Sequence, residues 1–167
     1  MDNTMNLLLK TAFACMVCDG DIDKSEIELI KKYHIEKNAF GDIAIEKEME
    51  KLVGAINLDS NRFIRDYFEE LSQVELSKEN ELKIIEIAID IIEADEKIEY
   101  NEIRFFKIIR SKLKIANEEI LEVYPHMEEY LETDIISESY LANLHYGFFD
   151  SSHLPQFRSL KDDFKTL

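Results

Sequence analysis

Only four glycines and two prolines occur in the 167 residues, and tryptophan is absent. With so few turn formers, and no alternating apolar-polar runs bounded by turn dipeptides, the sequence argues against strands. Positive charge is also scarce: 20 basic residues face 36 acidic ones, for a formal net charge of -16. Binding to phosphate backbones or anionic lipid requires a concentrated basic patch. No segment supplies one, so nucleic acid and membrane surfaces are not expected partners. Long hydrophobic runs are missing too. Lys10 and Thr11 interrupt the stretch from Met5 to Cys18, and Glu86, Asp90 and Glu93 interrupt that from Ile84 to Ala94, so neither reads as a membrane span. The amino terminus carries no basic region followed by an apolar one and a small-residue cleavage site, and a cytoplasmic location is expected.

The two cysteines, Cys15 and Cys18, form a Cys-x-x-Cys string. A redox pair of that spacing sits at a helix start after a strand, and a zinc site needs further Cys or His at matched spacing. Neither context is present, so both are expected in the core as small hydrophobes. His34, His126, His145 and His153 show no paired ligand spacing. No Ser-His-Asp or Cys-His arrangement, glycine-rich phosphate loop or nucleotide fingerprint is found. The expected protein is not an enzyme.

What the sequence does contain is helical periodicity. Hydrophobic content of 46% against 34% charged is a globular balance, enough for one domain with a real core. The expected fold is all-α, a single-domain bundle of about seven or eight helices. The first runs from about Asn3 to Cys18, with Leu7, Leu8, Thr11, Ala12, Cys15 and Cys18 near one face. Asp23 caps the second while Glu26 reaches back to the cap amide. Asp42 is expected to cap the third, Asp59 or Ser60 the fourth, Ser77 the isoleucine-rich fifth and Asn117 a short seventh limited by Pro125. The bundle is assigned to residues 1–132. The remainder, 133–167, is an extension rich in aromatics (Tyr140, Tyr146, Phe148, Phe149, Phe157, Phe164), expected to pack on the bundle or on a partner.

The bundle contains an internal echo. Asp19-Gly20-Asp21-Ile22-Asp23-Lys24-Ser25-Glu26 and Asp95-Glu96-Lys97-Ile98-Glu99-Tyr100-Asn101-Glu102 share the skeleton Asp-x-x-Ile-x-x-x-Glu at a constant offset of 76 residues. Agreement extends upstream (Ala12 with Ala88, Cys15 with Ile91, Cys18 with Ala94) and downstream (Ile27 with Ile103, Ile30 with Phe106). Each copy reads as helix, acidic turn, helix, which gives the bundle an internal two-fold repeat. Packing two such hairpins together would bring their turns to related positions. Oxygen-only carboxylate ligands suit calcium, magnesium or manganese. The first turn is no EF-hand, because Lys24 stands where its glycine belongs and Ile30 where its bidentate glutamate belongs. Capping alone explains Asp23 and Glu26. It explains less for Asp19 and Asp95, which end helices where the dipole disfavours negative charge. Metal binding and a merely solvated acidic edge both remain open on the residues alone.

The segment from Ala14 through Glu26, followed by Ala94 through Glu102, resembles the tellurite-resistance TerB-like domain family, which repeats an Ala-Asp-Gly turn with a glutamate seven positions after the aspartate in each half. The resemblance covers about residues 5 to 130. It implies an all-helical divalent-metal-binding module acting in a stress or tellurite-resistance system through protein partners. By position it implicates Asp19, Glu26, Asp95 and Glu102, with Asp23 and Glu99 as helpers. Glu96 departs from the family glycine, so a differently shaped second turn is expected. The alternative is an adaptor that binds another protein without metal, its acidic edge serving solubility.

Overall fold

The computed structural model describes residues 3–132 and 154–165. Tyr140, Tyr146, Phe148, Phe149, His145 and His153 lie outside them. Among the described residues the chain is all-helical, with nine α-helices, one 3-10 turn and no strand. They are α1 (Asn3–Val17), α2 (Lys24–Lys37), α3 (Ile45–Leu58), α4 (Ser60–Gln73), α5 (Lys78–Ile92), α6 (Tyr100–Lys112), α7 (Asn117–Val123), α8 (Glu128–Leu131) and α9 (Lys161–Phe164), with the 3-10 turn at Pro125–Met127. No described helix is long and apolar enough to cross a membrane.

Helices α1 and α5 form the centre of the bundle and pack on each other. From Leu7 to Val17 every residue of α1 except Lys10 is buried, because α3, α4 and α6 also pack against it. In α5, Ile84, Ile85, Ile87, Ile89, Ile91 and Ile92 are all buried. A β-branched residue lowers helix propensity by a few tenths of a kcal/mol, whereas burying its side chain stabilises by about 1.5–3 kcal/mol. Burial wins, so an isoleucine run that suits a strand locally is held as a helix. Around this pair, α2 packs on α5, α6 packs on α4 and α5, and α3 on α4. One core polar pair is internally satisfied. The Thr11 hydroxyl donates to Leu7 O at 2.9 Å, leaving its oxygen to accept from the Tyr67 hydroxyl, also at 2.9 Å.

Three of the expected caps form. Asp23 Oδ1 accepts from Ser25 N, Asp59 Oδ1 from Arg62 N and Ser77 Oγ from Asn80 N. Two do not. The third helix starts at Ile45 with Ala44 at its cap position and no side-chain bond, so Asp42 lies outside it. Asn117 is the first residue of α7, and its Oδ1 accepts from Arg110 Nε and Nη2 at 3.0 and 2.7 Å. A fixed guanidinium fork, which a local pattern cannot reveal, takes the oxygen that capping would have used. The α6–α7 connection is held further by Glu81. It is buried in α5, and its carboxylate accepts from Lys114 N and Ile115 N at 3.1 and 2.6 Å.

The carboxyl-terminal segment returns to the bundle. Phe157, Leu160 and Phe164 are buried in the same apolar core as α1 and α5.

Candidate functional site

The acidic turns connect α1 to α2 and α5 to α6. In the first, α1 ends with Gly20 at φ 89, and Gly20 N donates to Val17 O at 3.0 Å. This left-handed conformation is one glycine adopts without steric cost. Asp19 Oδ1 accepts from Asp21 N at 2.9 Å, closing a local turn around the glycine. Glu26 Oε2 then reaches back to Asp23 N at 2.8 Å, the return bond of a capping box.

The second turn has the same features despite its different residues. Glu96 occupies the position of Gly20 and takes φ 60, so the differently shaped turn expected there is not what forms. A non-glycine residue in this region costs about 1 kcal/mol, which the surrounding helices α5 and α6 must offset. Asp95 Oδ1 accepts from Lys97 N at 2.9 Å, and Glu102 Oε2 accepts from Glu99 N at 2.6 Å. Asp19 and Asp95 therefore do have a structural role, each closing its own turn. Asp23 and Glu99 are exposed at the helix starts.

Burial separates the two glutamates from the other four acids. Glu26 is 3% exposed and Glu102 1% exposed, whereas Asp19 and Asp95 are half-buried. Desolvation is the main reason that Glu26 is pushed up to about 9 from the ordinary 4.5, and Asp19, Glu102 and Asp95 raise it further against the lowering effect of the Asp23 amide. Glu102 is pushed up to about 7, again mainly by burial, with Asp19, Asp95 and Glu99 adding to it. Asp19 is raised by burial, then by Asp21 and Asp95, while the Asp21 amide opposes the rise. Carboxylates of one turn thus act on those of the other across the fold. They also surround the end of α1. Burial chiefly, with help from Glu26 and Glu102, raises the buried thiols of Cys15 and Cys18, and the Cys18 thiol donates to Cys15 O at 3.1 Å. A thiol held in its neutral form is neither a nucleophile nor a metal ligand at ordinary pH.

Chemically, the site holds two buried carboxyls that favour their protonated forms near neutral pH, backed by two half-buried carboxylates. Such a set can give up its protons to solvent when a cation binds and neutralises it. Its oxygen donors match hard divalent ions. The fit is incomplete, however. Among the described residues no three His, Cys, Asp or Glu side chains are already arranged to hold a metal, and Glu26 and Glu102 each commit one oxygen to a cap amide. A cation would have to draw the carboxylates inward.

All six acids singled out in the sequence belong to these two turns, and four of them share one electrostatic site. Sequence reasoning ranked Asp19 and Asp95 above the glutamates and missed that Glu26 and Glu102 are the buried, strongly perturbed members. The available signal was an isoleucine directly after each glutamate, Ile27 buried and Ile103 partly buried, at the same register in both copies. A separate cleft of about 600 Å³, lined by Leu9, Lys10, Leu52, Ala55, Phe63 and Tyr67 among others, contains none of the six acids. The chain matches no protein-family model, no curated protein and no solved structure.

Proposed function

We propose that the protein is a non-enzymatic, divalent-metal-binding helical module of the TerB-like type, built on an internal two-fold repeat, which acts through a protein partner in a cytoplasmic stress or tellurite-resistance system. The single observation that carries this reading is that Glu26 and Glu102, buried and on different turns, are both raised by Asp19 and Asp95, one aspartate from each turn. Buried acids that raise one another's pKa are costly to ionise without a counter-charge, and a divalent ion with oxygen ligands supplies one. The repeat is supported by the matched left-handed residues Gly20 and Glu96, the matched aspartate turns and the matched glutamate caps.

Calorimetric titration with calcium, magnesium and manganese tests the metal reading. Binding should release protons and tighten by up to about tenfold per pH unit for each proton displaced between about pH 6 and 8. Replacing both Asp19 and Asp95 by Asn should weaken binding while leaving the helical circular-dichroism signal largely intact. No heat of binding at millimolar cation would reject the metal.

The second reading is an adaptor that binds a protein without metal, and the cap bonds that Glu26 and Glu102 make to Asp23 N and Glu99 N give both glutamates a structural role under it. On that reading the acidic edge serves solubility, and the same titrations would be silent at every pH.

A further inference from the structure

The segment from Leu154 to Lys165 lies on α3 in the manner of a bound peptide. Its contacts with α3 read the main chain as well as the side chains. Asn57 Nδ2 donates to Phe157 O and Phe157 N donates back to Asn57 Oδ1, both at 2.8 Å, so one amide side chain satisfies both backbone groups of a residue. Gln156 Nε2 donates to Asn57 O at 3.0 Å. About two turns back along α3, Glu50 Oε1 accepts from Leu160 N at 2.7 Å and from Ser159 Oγ at 2.8 Å. Seven helical residues and three extended residues both span about 10 Å, so the segment runs antiparallel to α3 in register with it.

Three apolar anchors, Phe157, Leu160 and Phe164, are buried, while Arg158, Lys161 and Asp162 face solvent. Arg158 pairs with Asp163 inside the segment at 2.6 Å. Extended backbone read by an amide, followed by apolar anchors at intervals of three and four, is how short peptides are recognised in grooves. At the entry, Pro155 Cδ comes so close to Gly20 that a Cβ there would stand 3.3 Å away.

We propose that this face of α3 is a peptide-binding site whose ligand is the Leu-Pro-x-Phe-x-x-Leu-x-x-x-Phe segment of this chain, separable from the bundle and able to be supplied by a second copy of the chain. The 21 residues from 133 to 153 join α8 to the segment, and a tether of that length reaches at most about 70 Å. Covalent linkage makes docking of the segment in its own chain an intramolecular event, so it is favoured over docking from a second copy at low protein concentration. Exchange of an identical segment between copies uses the same contacts and adds none. This inference is independent of whether a cation binds.

The test uses the full chain carrying a protease site within residues 133–153. After cleavage, a fluorescent peptide of residues 154–167 should replace the native segment, read by anisotropy, while the body keeps its helical circular dichroism. In the uncut chain the same peptide at micromolar concentration should not enter. A peptide with Phe157→Ala should compete at least about tenfold less well, a loss that involves no refolding of the body. Asn57→Ala in the body removes two hydrogen bonds and should weaken the peptide by about thirtyfold. The proposal is overturned if the cut protein unfolds when the segment leaves, if the segment never exchanges while the body is folded, or if the Phe157→Ala peptide competes as well as the native one.

Discussion

Raising the pH should loosen this protein in a range where most proteins are indifferent. Glu26 is pushed up to about 9 and Glu102 to about 7 in the fold, against an ordinary 4.5. Their protonated forms are favoured by the native state, so the stability they contribute is complete below pH 4.5 and declines as the pH rises toward each folded value. Between about pH 6 and pH 8 the folded chain holds one more proton on Glu26 than the unfolded chain throughout, and one more on Glu102 over the lower half. Each extra proton held by the folded chain costs roughly 1 kcal/mol of stability per pH unit, so Glu26 loses about 3 kcal/mol and Glu102 about 1 kcal/mol over that range. A loss of about 4 kcal/mol is a large share of the 5–15 kcal/mol typical of a domain. Urea unfolding at fixed ionic strength, followed by circular dichroism, measures it. Glu26→Gln keeps an oxygen for the Asp23 amide and removes the titrating group, so it should flatten the profile by about 3 kcal/mol across the range and leave the variant more stable than the wild type at pH 8. Saturating divalent cation should flatten the wild-type profile in the same way. A wild-type stability that is level from pH 6 to 8, or a Glu26→Gln profile that runs parallel to the wild type, would refute the claim that these buried acids are held protonated.

Two further changes probe the surroundings. Gly20→Ala forces a side chain into the left-handed region at φ 89 and to within 3.3 Å of Pro155 Cδ. It should lower stability by about 1–2 kcal/mol in urea unfolding, and an unchanged midpoint would mean that the turn relaxes freely. Glu81→Ala orphans the amides of Lys114 and Ile115. The expected cost is about 2–3 kcal/mol, with faster hydrogen exchange at both amides, and unchanged exchange at Ile115 would show that the carboxylate does not hold that connection.

Periodicity and caps made most of the helices legible, because both are local. Asp23 with Glu26, Asp59 and Ser77 lie within three residues of the amides they serve, and the isoleucine run of α5 announces burial on most sides. Where a distant group competes for the same atom, local reading failed. Asn117 looks like a cap until Arg110 is seen to occupy its oxygen, and nothing local to Glu81 shows that it holds the amides of Lys114 and Ile115 in the α6–α7 connection. The site divides along the same line. A fixed spacing within one chain selected the six acids, since Asp19 and Asp95 head identical skeletons 76 residues apart. Which of them are buried depends on how α2 and α6 lean on the central pair, and no spacing carries that information.

The sequence by itself determined that the chain is helical, where its helices begin and end to within a few residues, and that two acidic turns share one spacing of residues. Hydrogen bonds over three or four residues and the 3.6-residue period are properties of short segments, so short segments reveal them. Tertiary structure alone decided that Glu26 and Glu102 are desolvated, that the carboxylates of both turns feel one another, and that Asn57 and Glu50 receive the carboxyl-terminal segment. Desolvation and Coulomb interaction depend on what surrounds a group in space, and residues a hundred positions apart in the chain supply those surroundings only when the bundle has closed.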